Sequence, residues 1–208
     1  MIIALKAVLC AAVSYILGSI SAAVIISRFI FKEDVRTQGS HNAGTTNMAR
    51  VFGMGAGLIT LAFDILKAVI SMALGRALLG SPGFALGAVM CMVGHCWPVF
   101  FGFKGGKGVA VCAGIAIMLG WQYAVSLIGI FLVIAAVTRF VSLGSLVGIA
   151  LLTPALYVFG CRDMWMYIMS VILTVIVWFM HRENIVRLLK GTENKFTPGK
   201  RNKSGGQK

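Results

Sequence analysis

The chain predicts an all-α, polytopic integral membrane protein, and three observations carry that prediction. Of its 208 residues 59% are hydrophobic and only 12% charged, and the mean hydropathy is +0.91, far from the balance of a water-soluble domain. The apolar residues gather in long stretches, near 3–30, 54–79, 83–101, 108–138, 141–160 and 163–180. A helix of roughly 20 such residues crosses hydrocarbon while satisfying its own backbone hydrogen bonds. The third observation is that most of the net charge of +13 lies between and after these stretches.

In the first stretch Lys6 precedes an apolar run and small residues follow at Ser19, Ser21 and Ala22, a pattern shared with cleavable leaders. The run is too long for one: from Ala7 to Phe31 the only charge is Arg28, so the segment spans. The second stretch holds Asp64 and Lys67, three residues apart and therefore on one helix face, where they neutralise each other toward the bundle interior. They read as an ion pair that locks packing or as a polar wall beside a site. Gly55, Gly57, Gly144 and Gly148 suit close helix contacts in lipid.

The stretch 108–138 is long for one crossing. If it turns near Gly120, Trp121 and Gln122 and crosses twice, the loops at 31–53, 102–108 and 139–141 share one side with the tail. That side then holds Lys32, Arg36, Arg50, Lys104, Lys107 and Arg139, leaving Arg76 and Arg162 near the other face. The positive-inside rule therefore predicts seven transmembrane helices with the N-terminus outside and the C-terminus cytoplasmic. Residues 1–196 form a single transmembrane domain and 197–208 a basic cytoplasmic tail. Its ending, RNKSGGQK, lacks apolar periodicity and reads as disordered. Eight of the 19 Lys and Arg residues follow His181, a bias that membrane orientation explains without a nucleic-acid partner. The five cysteines contain no CxxC pair, and the cluster Cys91, His95 and Cys96 lacks zinc-ligand spacing. The sequence therefore calls for no metal and no cofactor.

Three polar segments carry the chemistry, and all three histidines, His41, His95 and His181, fall in them. The first, GSHNAGTTNMAR from Gly39 to Arg50, offers backbone amides with Ser40, Asn42, Thr45, Thr46 and Asn47 as hydrogen-bonding groups, and Arg50 as a bidentate cation. The second, GHCWPVFFGFKGGKGVA from Gly94 to Ala110, sets Lys104 and Lys107 among Gly105, Gly106 and Gly108, so that the backbone approaches an anion while two ammoniums neutralise it. It does not meet the P-loop pattern GxxxxGK[ST]. In the third, HRENIVRLLKGTENK, His181 and Asn184 share a helix face that Arg187 and Lys190 continue.

Together, in this order and spacing, the three segments resemble the motifs of the acyl-phosphate:glycerol-3-phosphate acyltransferases of bacterial phospholipid synthesis, the PlsY family. The resemblance covers nearly the whole chain. One departure is His41, where the family more often carries glycine after the serine. The resemblance implies transfer of a fatty acyl group from acyl phosphate to glycerol 3-phosphate, giving lysophosphatidic acid and inorganic phosphate. It places the protein among the lipids of the bacterial cytoplasmic (inner) membrane, with an acyl-phosphate-forming enzyme upstream. It also implies catalytic roles for Ser40, Arg50 and Lys104 on phosphate oxygens, and for His181 and Asn184 on the acceptor. Asn42, Gly44, Thr46, Asn47, His95, Gly105, Gly106, Lys107, Gly108, Ser142 and Arg187 complete the expected binding set.

The sequence chemistry agrees. A His-x4-Asp dyad is absent, since Thr46, Phe100 and Val186 stand five residues after the histidines, and there is no GxSxG elbow. An acyl phosphate is an activated anhydride, so positioning and charge neutralisation suffice for its transfer. A transporter for a phosphorylated solute, the rival class, predicts internal repeats and polar residues along a path across the membrane. Here, apart from Asp64 and Lys67, the polar groups concentrate on one side.

Overall fold

A computed structural model describes residues 1–197, and its regular structure is helical, with no strand among the described residues. The tail expected over 197–208 lies, but for Thr197, outside them. Helices α1 (Ile2–Ser19) and α2 (Ala22–Phe29) make one apolar run, broken at Ile20, whose backbone is extended, and at Ser21, whose hydroxyl caps α2 through the Val24 N–H. A short helix, α3 (Thr45–Phe52), follows the first polar segment.

The next run, α4 (Met54–Cys96), is two helices back to back, because Gly80 takes φ 65° and ψ −140°, which only glycine adopts without strain. A Cβ on Gly75 would lie 2.0 Å from the carbonyl oxygen of Gly83, and one on Gly87 would lie 2.4 Å from that of Ser71. In a straight helix positions 75 and 83 would be about 12 Å apart. The chain therefore doubles back, as the separate stretches 54–79 and 83–101 anticipate. Helix α5 (Val109–Leu119) stops at Gly120, and α6 (Trp121–Thr138) begins immediately after it with a π-helical turn at Ala124–Ile128. That break is where the sequence predicts a turn. Arg139, at φ 63°, ends α6. Helices α7 (Val141–Ala150) and α8 (Leu152–Val158) are bent by 41°, and α9 (Met164–Met180) and α10 (Arg182–Leu189) by 64°.

Ile2–Phe29, Met54–Phe101 and Trp121–Thr138 are long and apolar enough to cross a membrane. If each bent pair is one span, up to five segments are long and apolar enough to cross, and the break at Gly80 divides α4 into two arms. With 11 residues, α5 is shorter than these. The packing is that of a membrane protein: Leu58, Phe63, Leu66, Val133, Val137, Val171 and Val175 point outward, while Ser14, Ser19, Thr60, Asp64, Lys67 and Ser71 are buried. The core between the passes is built from α4, α5, α7 and α9, with Met72, Phe84, Met92, Ile115, Met169 and Leu173 inaccessible.

Candidate active site

The loop before α3 is held open by its own side chains. Asp34 accepts hydrogen bonds from Arg28, from the Arg36 guanidinium and from the Arg36 N–H, and the guanidinium holds its carboxyl well below the usual carboxylate range. Asn47 is buried and staples the loop: its Oδ1 accepts from the Ser40 N–H at 2.8 Å, and its Nδ2 donates to the carbonyls of Val35, Gln38 and Asn42. Its polar atoms are thereby committed, so Asn47 shapes the site from behind. Gly44 opens α3 without a side-chain cap. The first-turn N–H groups of Thr45 and Thr46 have no acceptor within their helix, the ordinary condition that makes a helix N-terminus attractive to anions. The Thr45 hydroxyl beside them is buried and unpartnered among the described residues.

The glycine-rich segment folds back on the end of α4. Gly105 N–H donates to the Cys96 carbonyl at 3.2 Å and Gly106 N–H to the His95 carbonyl at 3.1 Å. Both amides are thus spent within the loop. Gly106 is required by contact, since a Cβ there would lie 2.2 Å from His95 Nε2. The two lysines diverge: Lys107 donates to Asn184 Oδ1, whereas Lys104 lines a second cavity with Arg36, His41, Trp97, Phe103, Gly105 and Arg182.

The third segment turns at His181. Its Nδ1 lies 2.8 Å from the Val177 carbonyl oxygen, which only accepts, so Nδ1 bears the hydrogen and Nε2 is left as an acceptor. His181 follows the last apolar helix, and burial, with the charge of Lys107 adding, lowers its pKa to about 4. Burial likewise lowers the pKa of Lys107, with Arg187 contributing. Glu193 ties the segment together: it accepts from Ser142 Oγ at 2.9 Å, Asn184 Nδ2 at 2.7 Å and Arg187 Nε at 2.8 Å.

These segments close around one cavity of about 440 Å³. One end is polar, with Ser40, Thr46, Arg50, Lys107, Ser142, His181, Asn184 and Arg187. The other is an apolar arm between Leu61, Ile65, Ala116, Leu127, Phe131 and Ile149. The lining thus suits a molecule with an anionic head and a hydrocarbon chain.

A family model described as Glycerol-3-phosphate acyltransferase matches residues 8–191. The chain belongs to the glycerol-3-phosphate acyltransferase family. The glycerol-3-phosphate acyltransferase of Finegoldia magna is 37% identical over 185 residues, covering 88% of this chain and 92% of the relative. That of Halalkalibacterium halodurans is 42% identical over 190 residues, covering 88% and 91%. Two crystal structures of PlsY, an integral membrane glycerol 3-phosphate acyltransferase, in its glycerol 3-phosphate and lysophosphatidic acid forms, superpose with TM-scores of 0.86 and 0.84. Both are 32% identical to this chain, cover 92% of it, and are themselves covered to 96% and 95%.

For this member of the glycerol-3-phosphate acyltransferase family, the structure brings most of the expected site residues to one cavity: Ser40, Asn42, Gly44, Thr46, Asn47, Arg50, His95, Lys107, Gly108, Ser142, His181, Asn184 and Arg187 all line it. Lys104, Gly105 and Gly106 do not, which corrects the reading of FKGGKG as a single cradle: its backbone hydrogen bonds turn inward and its two lysines face different cavities. His41 is also apart from the other two histidines. It stands at φ 56° and is exposed, in the left-handed region where glycine is most at ease. Asp64 also belongs to the lining, in keeping with the polar-wall alternative for it, and so does Glu193, to which the sequence reading gave no role. For Glu193 a signal existed: it is one of only six acidic residues and lies among Arg187, Lys190 and Lys195.

Proposed function

We propose that this protein transfers a fatty acyl group from acyl phosphate to glycerol 3-phosphate, forming lysophosphatidic acid and inorganic phosphate, as the first acylation step of phospholipid synthesis. The observation that carries the reading is the single cavity in which an anion-binding end runs into an apolar arm. Arg50, Lys107 and the first turn of α3 neutralise phosphate oxygens, with Ser40 and Ser142 adding hydroxyls. Lys107 takes the role expected of Lys104. His181 accepts the hydrogen of the acceptor hydroxyl on Nε2, and Asn184, held between Lys107 and Glu193, orients the glycerol phosphate.

The cavity lining supports acyl phosphate as the donor. Ser142, the hydroxyl nearest a carboxylate, hydrogen bonds to Glu193, whose oxygens are already committed to Asn184 and Arg187. Among the described residues no serine hydroxyl is hydrogen-bonded to a histidine, which supports direct transfer over an acyl-enzyme, and the cationic end suits phosphate as the leaving group. We place the seven passes across the bacterial inner membrane, N-terminus outside, with the polar end at the cytoplasmic face, where glycerol 3-phosphate enters from water and the acyl chain from lipid. A reaction that forms acyl phosphate supplies the donor.

The test is release of inorganic phosphate by the purified protein in detergent, given palmitoyl phosphate with and without glycerol 3-phosphate. Release that depends on the acceptor and yields lysophosphatidic acid is expected. A folded protein that turns over nothing would overturn the reading in favour of a carrier for phosphorylated solutes.

A further inference from the structure

The second cavity, of about 590 Å³, has no task in the reaction so far. Neighbours in the sequence are divided between it and the first. His181 lines the catalytic cavity and Arg182 the second, and Lys107 lines the catalytic cavity and Lys104 the second. Both cavities therefore open where α9 ends and the glycine-rich loop turns back.

The charges around the second cavity are unevenly committed. The Arg36 guanidinium is spent: it pairs with Asp34 at 2.8 Å and donates to the carbonyls of Phe101 at 2.7 Å and Lys104 at 3.3 Å, which fixes the loop that carries Lys104. The Lys104 side chain is exposed, and its ammonium has no hydrogen-bond or ion-pair partner among the described residues. Arg182 donates from Nη1 to the Phe179 carbonyl at 3.1 Å and lies 4.7 Å over the centre of the Phe179 ring. That stacking orients the guanidinium and leaves further N–H groups for an anion. The carboxylate of the lining, Glu183, already faces Arg187 at 4.0 Å. Two cations thus meet the cavity with little to neutralise them among the described residues.

The apolar part of the lining decides what kind of anion fits. Trp97, Phe103, Phe179 and Met180 share the cavity with the cations. Phe179 also ends a stripe on α9: Ile168, Ile172, Val175 and Phe179 are all exposed and follow at i, i+4, i+7 and i+11, on one face of the helix. Val99, Phe100 and Phe103, in the loop that carries Lys104, are exposed as well. A free phosphate makes no use of these surfaces, whereas a lipid covers them with its chains while its headgroup reaches the cations. Basic pockets between transmembrane helices, with aromatic rings at headgroup level, take anionic lipids in this way. We propose that the second cavity binds the phosphate headgroup of an anionic glycerophospholipid, with Lys104 and Arg182 on the phosphate oxygens and an acyl chain along the α9 stripe. The site is separate from the catalytic cavity and does not depend on the acyl-transfer reading.

The test is native mass spectrometry of the full chain in detergent, titrated with palmitoyl-oleoyl phosphatidylglycerol or with phosphatidylcholine of the same chains. The first phosphatidylglycerol is expected to bind at least about tenfold more tightly than phosphatidylcholine. Each cation near the surface is worth about fivefold in affinity for an anionic lipid, so Lys104→Gln/Arg182→Gln should weaken that binding by about 25-fold. Glu183→Gln removes a like charge and should tighten it by about threefold, a gain that misfolding cannot produce. Arg50→Gln, in the catalytic cavity, should leave this binding as it is. Equal affinity for the two lipids, or a double variant that binds as the wild type does, overturns the proposal. So does a loss confined to Arg50→Gln, which would put the lipid in the catalytic cavity. Displacement of the lipid by millimolar inorganic phosphate would likewise overturn it, in favour of a site for free phosphate. Should the double variant fail to fold, Glu183→Gln and the comparison of the two lipids on the wild type decide.

Discussion

At the scale of single residues, the two lysines of FKGGKG separate by function. Lys107 is half-buried, donates to Asn184 and lines the cavity, whereas Lys104 reaches a different one. Losing a desolvated, charge-assisted contact to phosphate removes about 2–3 kcal/mol of transition-state stabilisation. Lys107→Ala is therefore expected to lower kcat/KM by about 30- to 150-fold, and Lys104→Ala by less than about fivefold; the reverse order in the same assay would return the catalytic role to Lys104. The sequence showed that two cations flank the glycines and could not show which faces the phosphate, because that depends on the inward hydrogen bonds of Gly105 and Gly106. His181 makes a second prediction. Its pKa falls from the ordinary 6.5 to about 4 in the folded chain, so the unfolded chain takes up a proton first. Stability is therefore full above about pH 6.5 and declines as pH falls toward 4. Thermal unfolding should show a steeper loss of Tm across that interval in wild type than in His181→Asn; parallel slopes would show that His181 is not held neutral.

At the scale of elements, the all-helical, apolar character of the chain and the breaks within its long apolar stretches were legible, and the short helices were not. The breaks at Gly80 and Gly120 could be anticipated because apolar runs longer than a bilayer must turn, and glycine adopts the φ values required. Helices α2 and α3 gave no comparable signal: each is eight residues long, too short for periodicity to stand out. The loop 94–108 is the element on which the site depends most, since its fold brings Lys107 in and keeps His95 in place. Gly106→Ala tests it. A Cβ there meets His95 Nε2 at 2.2 Å and the Ala43 carbonyl at 3.0 Å, so either the loop or the ring must move. Overpacking of this kind costs about 1–3 kcal/mol. We expect at least a tenfold fall in kcat/KM with glycerol 3-phosphate and a lowered Tm; an alanine variant with wild-type kinetics would show that the loop does not position the site.

At the scale of the whole molecule, the cavity ties the charge pattern to the reaction. Arg50, Lys107, His181 and Arg187 gather around a polar mouth, and the sidedness expected from the sequence would put most lysines and arginines of the loops at that same end. An enzyme that joins a water-soluble acceptor to a lipid-soluble chain needs this asymmetry, because each substrate reaches the reacting carbon from its own phase. Orientation is therefore a functional quantity here, and it can be measured apart from activity. A fluorescent protein that matures only in the cytoplasm, fused after Lys208, should fluoresce, while a phosphatase active only outside, fused after Cys161 between α8 and α9, should be active. Exchanging the two reporters should silence both. The opposite pattern would place the polar mouth outside, away from cytosolic glycerol 3-phosphate, and would remove the acyl-transfer reading even if the purified protein bound phosphate; both points on one side would mean that α9, the long apolar helix between them, does not cross.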